Sequence, residues 1–387
     1  MVMAITGRFA GLSPALHDEA SKRTGRKDFG NPADYWPGLD TLLRAIDDDA
    51  VGFDDTGAAR VSEMIVGTLV ARLYAEAGWQ ARPDCLANPI QRPLIITGIP
   101  RTGTTALHRL LNLDPGFQAL PRWLSLYPMP RPPRESWDSI HEYRDDSGVA
   151  SDLAAIHHMA AGEVDECIHL LKQDFCSNFW GASLPVPSYD RWWVKQDETA
   201  SYVRSYRLLQ LIGADDPATP WLLKNPGHLG HLEVLLSTMP DAVVVQTHRD
   251  PIQAIASLAS LMAKLLRRNT GGAVDPMAIG RRELLVWRDA ARDAMAVRDR
   301  LIQAGGTTRF VDVRHAEFHA DPLGVVRTIY AAIDRELTRP VEAAMRARVK
   351  HDPERRQGAH SYAAATFGLD RDEVDAAFEW YRASYDL

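Results

Sequence analysis

The chain is poor in cysteine. Cys85, Cys167 and Cys176 are the only three in 387 residues, and no two stand in Cys-x-x-Cys spacing. An odd count without paired spacing offers no disulfide framework, and the three read as reduced thiols or small buried residues. Excess positive charge is also lacking. The net charge is −7, so no global basic field draws in nucleic acid or an anionic membrane surface. No run of 18 apolar residues occurs, which excludes an expected transmembrane helix. The opening stretch has no sustained apolar h-region, so no signal peptide is expected. Internal repeats and low-complexity tracts are absent, and no dedicated metal-ligand set is visible. What is left is a chain of ordinary globular composition, long enough for one large domain or two.

Another absence is more specific. Pro93-Leu94-Ile95-Ile96-Thr97-Gly98 reads as a buried strand. Ile99-Pro100-Arg101-Thr102-Gly103 is a turn, and Leu107, Leu110 and Leu111 mark a helix after it. Gly98 and Gly103 have the spacing of the phosphate-binding loop Gly-x-x-x-x-Gly-Lys-Ser/Thr. The lysine due after Gly103 is replaced by Thr104, and the nearest cation is Arg101 inside the loop. Backbone N–H groups and a helix N-terminus still suit a phosphate. The lysine that would reach the β- and γ-phosphates of a nucleoside triphosphate is missing, which argues for a different phosphate ligand.

A second strand, Ala242-Val243-Val244-Val245-Gln246-Thr247, runs into His248-Arg249-Asp250-Pro251 and then a helical pattern. Asp250 suits the N-cap and Pro251 the first helical position. Arg249 at the strand end and Ser257 about two turns into the helix are placed to hold a second phosphate. Each residue also has a plainer reading: turn glycines, a surface arginine, an Arg249–Asp250 pair.

Taken together, these segments resemble the sulfotransferases that use 3'-phosphoadenosine 5'-phosphosulfate (PAPS), in particular the bacterial branch with a helical N-terminal extension. Pro100-Arg101-Thr102-Gly103-Thr104-Thr105 is similar to the family's 5'-phosphosulfate loop, and Arg249 with Ser257 to its 3'-phosphate pair. Trp221-Leu222-Leu223-Lys224-Asn225-Pro226-Gly227-His228-Leu229 resembles the strand ending in a lysine that contacts the transferred group or bridging oxygen. The late stretch Arg355-Arg356-Gln357-Gly358-Ala359-His360 resembles a loop over the cofactor, which adds Arg356, Gly358 and His360 to the expected contacts. A plain basic surface turn is the alternative there. His315 stands where relatives often carry a tyrosine near adenine, so that contact departs from the pattern.

The catalytic base is the open position. Relatives often place a glutamate shortly after the loop helix, and Leu124 stands there instead. The acidic cluster Glu163, Asp165 and Glu166 lies in a segment similar to one in the bacterial branch; its plain reading is a solvated helix face. His228 follows Lys224 by four residues rather than the family's two, and is the other candidate. Trp192-Trp193 reads either as core or as lining of an acceptor pocket.

The expected fold is an α/β, P-loop-like parallel sheet flanked by helices. Residues 1–90 form a helical extension or cap, and 91–387 the PAPS-binding domain. The resemblance implies in-line transfer of a sulfuryl group from PAPS to a hydroxyl, less readily an amine, of a small-molecule or lipid-like acceptor. The product is adenosine 3',5'-bisphosphate, no metal is required, and Arg101 and Lys224 stabilise charge. Membrane-anchored relatives carry a spanning helix; its absence points to the cytoplasm. The competing readings are a P-loop kinase or nucleotide-binding protein, and a PAPS-binding module without chemistry. The sequence is silent on oligomeric state.

Overall fold

A computed structural model describes residues 8–54, 56–145, 160–305, 309–351 and 364–387. The chain folds as two compact units. One takes Met1–Ile90, Leu120–Ala218 and Lys264–Val274; the other takes Gln91–Ala119, Thr219–Ala263 and Asp275–Leu387. The sequence boundary at 90/91 is one of the points where the chain passes between them.

The first unit is helical. Three helices dominate its beginning, Ser13–Thr24, Trp36–Asp48 and Gly57–Ala81. Leu16, Leu39, Leu42, Leu43, Ile65 and Leu69 from these helices are buried in one core with Phe175, Trp180 and Tyr189. Inside it Arg72 is fully buried. Its Nη1 donates to Asp174 Oδ1 at 2.6 Å, its Nε donates to the Phe29 carbonyl at 3.0 Å, and its guanidinium lies 4.0 Å from the Tyr35 ring centroid. In the first helix Leu12 is the N-cap, no described side chain caps it, and Ser13 is already helical. Arg122–Leu126 is a short helix in which Trp123, Leu124 and Ser125 are buried, because the two large apolar side chains outweigh the flanking prolines. Trp193 is buried and its indole N–H bonds the Glu198 carboxyl, which places it in the core.

The second unit holds a five-stranded sheet: β1 (Leu94–Gly98), β2 (Gln118–Ala119), β3 (Trp221–Lys224), β4 (Val243–His248) and β5 (Arg309–Arg314). All pairings are parallel, in the order β2-β3-β1-β4-β5. Every residue of β1, β3 and β4 is buried, as expected for apolar runs covered on both faces. Strand β2, only two residues long, carries too little pattern to be read from sequence. With β1 central between β3 and β4, the loops after β1 and β4 leave neighbouring strand ends, where parallel sheets bind ligands.

Candidate active site

The loop after β1 is shaped by its backbone. Gly98 has φ 143°, and a Cβ there would meet the Thr247 carbonyl oxygen at 2.5 Å, so only glycine fits against β4. Arg101 (φ 71°) and Gly103 (φ 96°) are left-handed. For Arg101 this is uncommon backbone, of the kind held at ligand sites. The helix Thr104–Leu111 begins directly after Gly103, and no described side chain caps it, so its first N–H groups face the turn. Hydroxyls pin the loop from behind. Thr102 Oγ1 donates to the Ile99 carbonyl at 2.7 Å and shares a 2.5 Å hydrogen bond with Thr247 Oγ1. Thr97 Oγ1 lies 3.1 Å from the Asn225 carbonyl oxygen and 3.2 Å from that of Pro226.

Three of the residues expected at the site converge. Arg101 Nε donates to Ser257 Oγ at 3.2 Å, and Arg249 Nη1 donates to the Arg101 carbonyl at 3.0 Å. Ser257 comes from the helix Pro251–Thr270, and Arg249 from the two-residue link between β4 and that helix. A fourth joins from β3: Lys224, itself buried, donates Nζ to Thr105 Oγ1 at 3.4 Å. Two guanidinium groups, an ammonium, two hydroxyls and a helix N-terminus thus gather at the carboxyl ends of adjacent strands. Pro100 and Thr104 lie in the same turn and first helical position. His315 also belongs here. Its ring carbon lies 3.4 Å from where a Gly103 Cβ would stand, and burial, with Arg249 nearby, pushes its pKa down to about 4.

Two contributors escaped the sequence reading. Thr247 was visible only as a strand residue, yet it ties the loop to β4. His108, on the buried face of the loop helix, is pushed down to about 3 by burial and by Lys224, and is held at the Leu222 carbonyl. It is therefore neutral beside the lysine. A histidine four residues after Thr104 was the available signal.

The candidate bases fall in different units. In the sheet unit His228 is buried just past Asn225, whose Oδ1 accepts the Gly227 N–H at 2.9 Å. Burial drives His228 to about 3. In the helical unit, residues 160–166 run antiparallel to the Leu124 segment. Arg122 N donates to the Glu163 carbonyl at 2.9 Å, and Asp165 N to that of Leu120 at 2.8 Å. The acidic segment is thus pinned to the stretch where relatives carry their glutamate. Asp165 already has two neighbours, the Arg122 guanidinium at 3.5 Å and the His169 ring at 3.4 Å. The expected contacts Arg356, Gly358 and His360 lie outside the described residues.

Among the described residues no helix is long and apolar enough to cross a membrane.

Comparison with known proteins bears on the family and the fold. A family model described as "Sulfotransferase family" matches residues 93–339. The solved sulfotransferase STF1 from Mycobacterium tuberculosis superposes with a TM-score of 0.85 at 37% identity, covering 96% of this chain and 99% of that one. STF9 from Mycobacterium avium superposes with a TM-score of 0.86 at 29% identity, covering 97% of each. Among curated proteins, the omega-hydroxy-beta-dihydromenaquinone-9 sulfotransferase of Mycobacterium bovis is 27% identical over 267 residues, which is 65% of this chain and 64% of that protein.

Proposed function

The chain belongs to the sulfotransferase family, and on that premise we propose that it moves a sulfuryl group from PAPS to an acceptor hydroxyl, less readily to an amine. The observation that carries the donor assignment is the Arg101–Ser257–Arg249 cluster at the mouth of the uncapped loop. A 5'-phosphate suits the loop N–H groups, and a 3'-phosphate suits Arg249 and Ser257. Left-handed Gly103 leaves the backbone open to a ligand.

PAPS supplies the activated sulfuryl group and leaves as adenosine 3',5'-bisphosphate. Lys224 and Arg101 balance the charge that develops on the leaving phosphate, the part a metal ion plays in kinases. Glu163 takes the acceptor proton in our reading. His228 is the weaker candidate, because burial leaves its imidazole a feeble base near pH 7. Asp165 is weaker for another reason: its carboxylate is engaged by Arg122 and His169.

For the acceptor we favour a lipid-like hydroxyl compound. The curated relative is named for a hydroxylated dihydromenaquinone, and the unit carrying Glu163 is rich in aromatics, with Trp123, Trp137 and Tyr143 in mutual ring contact at 5.4–5.9 Å. A cytoplasmic location is part of the same reading. The test is transfer of labelled sulfate from PAPS to a panel of hydroxylated quinols, sterols and phenols. Turnover of at least one acceptor is expected. Release of phosphate from ATP with magnesium, and none of sulfate from PAPS, would favour the kinase reading. Tight PAPS binding without turnover of any acceptor would favour an inactive module, which Leu124 in place of glutamate keeps in view.

A further inference from the structure

Along β4 the side chains alternate between the two faces of the sheet. Thr247 is committed to the phosphate loop through Thr102. Gln246 and His248, both fully buried, face the other way and meet a separate set of partners. Arg298, from the helix Pro276–Gln303, donates Nη1 to Gln246 Oε1 at 2.7 Å and grips the Asp312 carboxylate at 2.7 and 2.8 Å. Asp312 stands on β5 in register with Gln246 and accepts from His248 Nε2 at 2.9 Å. His248 Nδ1 lies 2.8 Å from the Tyr381 hydroxyl, and its ring stacks on Tyr385 with centroids 3.7 Å apart. The Tyr385 hydroxyl accepts from Arg298 at 3.2 Å. Both tyrosines belong to the helix Arg371–Tyr385.

The charges in this set are fixed. Burial favours neutral His248 and outweighs the pull of Asp312. Burial opposes ionisation of Asp312 too, yet the bonds from Arg298 and His248 hold its carboxyl well below the usual range. With Nε2–H donated to Asp312 and Nδ1 accepting from Tyr381, the imidazole has one tautomer and one orientation. A partly buried ionic network of this kind adds little net stability, and its best-attested value lies in fixing geometry. What it fixes here is the last residue of β4. The next residue is Arg249, whose guanidinium donates to the Arg101 carbonyl and to Gln253 Oε1 at 3.2 Å.

We propose that Arg298, Asp312, His248, Tyr381 and Tyr385 are positioning residues that hold the end of β4 so that Arg249 addresses the 3'-phosphate of the donor nucleotide. The helix Arg371–Tyr385 thereby takes part in nucleotide selection. This inference rests on the PAPS reading above.

Calorimetric titration with two probes, adenosine 3',5'-bisphosphate and adenosine 5'-phosphate, tests it on the full chain. Tyr381→Phe and Asp312→Asn should weaken the bisphosphate by about 5- to 50-fold and the monophosphate by less than about twofold. Added to Arg249→Ala, either change should cost the bisphosphate nothing further. Parallel losses for both nucleotides, additive losses on Arg249→Ala, or a lower melting temperature with an unchanged affinity ratio would each overturn the inference. If Asp312→Asn does not fold, Tyr381→Phe and Tyr385→Phe decide, since each removes one hydroxyl and keeps the ring. A wild-type protein with no preference for the bisphosphate would sink the donor reading and this inference with it. A preference lost in Arg249→Ala but kept in Tyr381→Phe and Asp312→Asn would sink the inference alone.

Discussion

Arg101 Nε and Ser257 Oγ are hydrogen-bonded at 3.2 Å, although 156 positions separate them in the chain. The bond joins the two candidate anion-binding segments that the sequence presented as separate motifs. It also holds an exposed, left-handed arginine in one orientation. Such preorganisation reduces what binding must spend on ordering the site.

The two phosphates of the donor should be separable by mutation. Arg249→Ala and Ser257→Ala are expected to weaken adenosine 3',5'-bisphosphate roughly 10- to 100-fold for the arginine and less for the serine, with smaller losses for adenosine 5'-phosphate. Thermal-shift titration reads both, because ligand binding raises the melting temperature by mass action. Equal losses for the two nucleotides would remove the 3'-phosphate from Arg249.

Sulfuryl transfer should survive a chelator. The cations at the site are Arg101, Lys224 and Arg249, and among the described residues no group of three or more histidine, cysteine or acidic side chains is gathered for a metal. Activity measured in excess EDTA should match the untreated rate. Loss that magnesium restores would favour kinase-like chemistry.

Proton removal from the acceptor should depend on Glu163. Glu163→Gln is expected to lower kcat by roughly 10²–10⁴-fold and leave nucleotide affinity nearly intact. His228→Ala should do less, since that imidazole is buried and titrates near 3. Near-normal turnover in Glu163→Gln, Asp165→Asn and Glu166→Gln, with none in His228→Ala, would reverse the assignment.

The helical unit should depend on its buried ion pair. Arg72→Ala leaves buried Asp174 with the more distant Arg204, 3.7 Å away, as its described cation. The cost should therefore fall near the lower end of about 3–5 kcal/mol, whereas replacing both Arg72 and Asp174 by apolar residues of similar volume should cost much less. Urea denaturation of the single and double variants compares the two.

Glu198 gives that unit a pH dependence of defined sign. Burial lifts its carboxyl to about 8, against the hydrogen bond from Trp193. The folded state therefore holds this proton more tightly than the unfolded state, whose glutamate titrates at about 4.3. The contribution is complete below that value and is lost as pH rises to about 8. Glu198→Gln keeps an acceptor for the indole and should flatten the fall in stability between about pH 5 and 8. An unchanged slope would place the titration elsewhere.

The local motifs were legible because each is a short-range rule. The apolar run 94–98 needs a buried strand, Gly98 and Gly103 permit a turn that a Cβ would obstruct or strain, and Thr247-His248-Arg249 ends a second run of the same kind. The missing lysine is likewise a local fact: Thr104 stands where a triphosphate loop carries it. Tertiary structure alone decided which of these pieces meet. Strand order places β4 beside β1, which brings Arg249 to the Arg101 carbonyl and Thr247 to Thr102. The packing of helix Arg371–Tyr385 sets Tyr381 and Tyr385 on His248, more than 130 residues away in sequence. Burial, which depends on every neighbour at once, made His228 and His108 weak bases and raised Glu198, although the residue types alone would place each near its ordinary value.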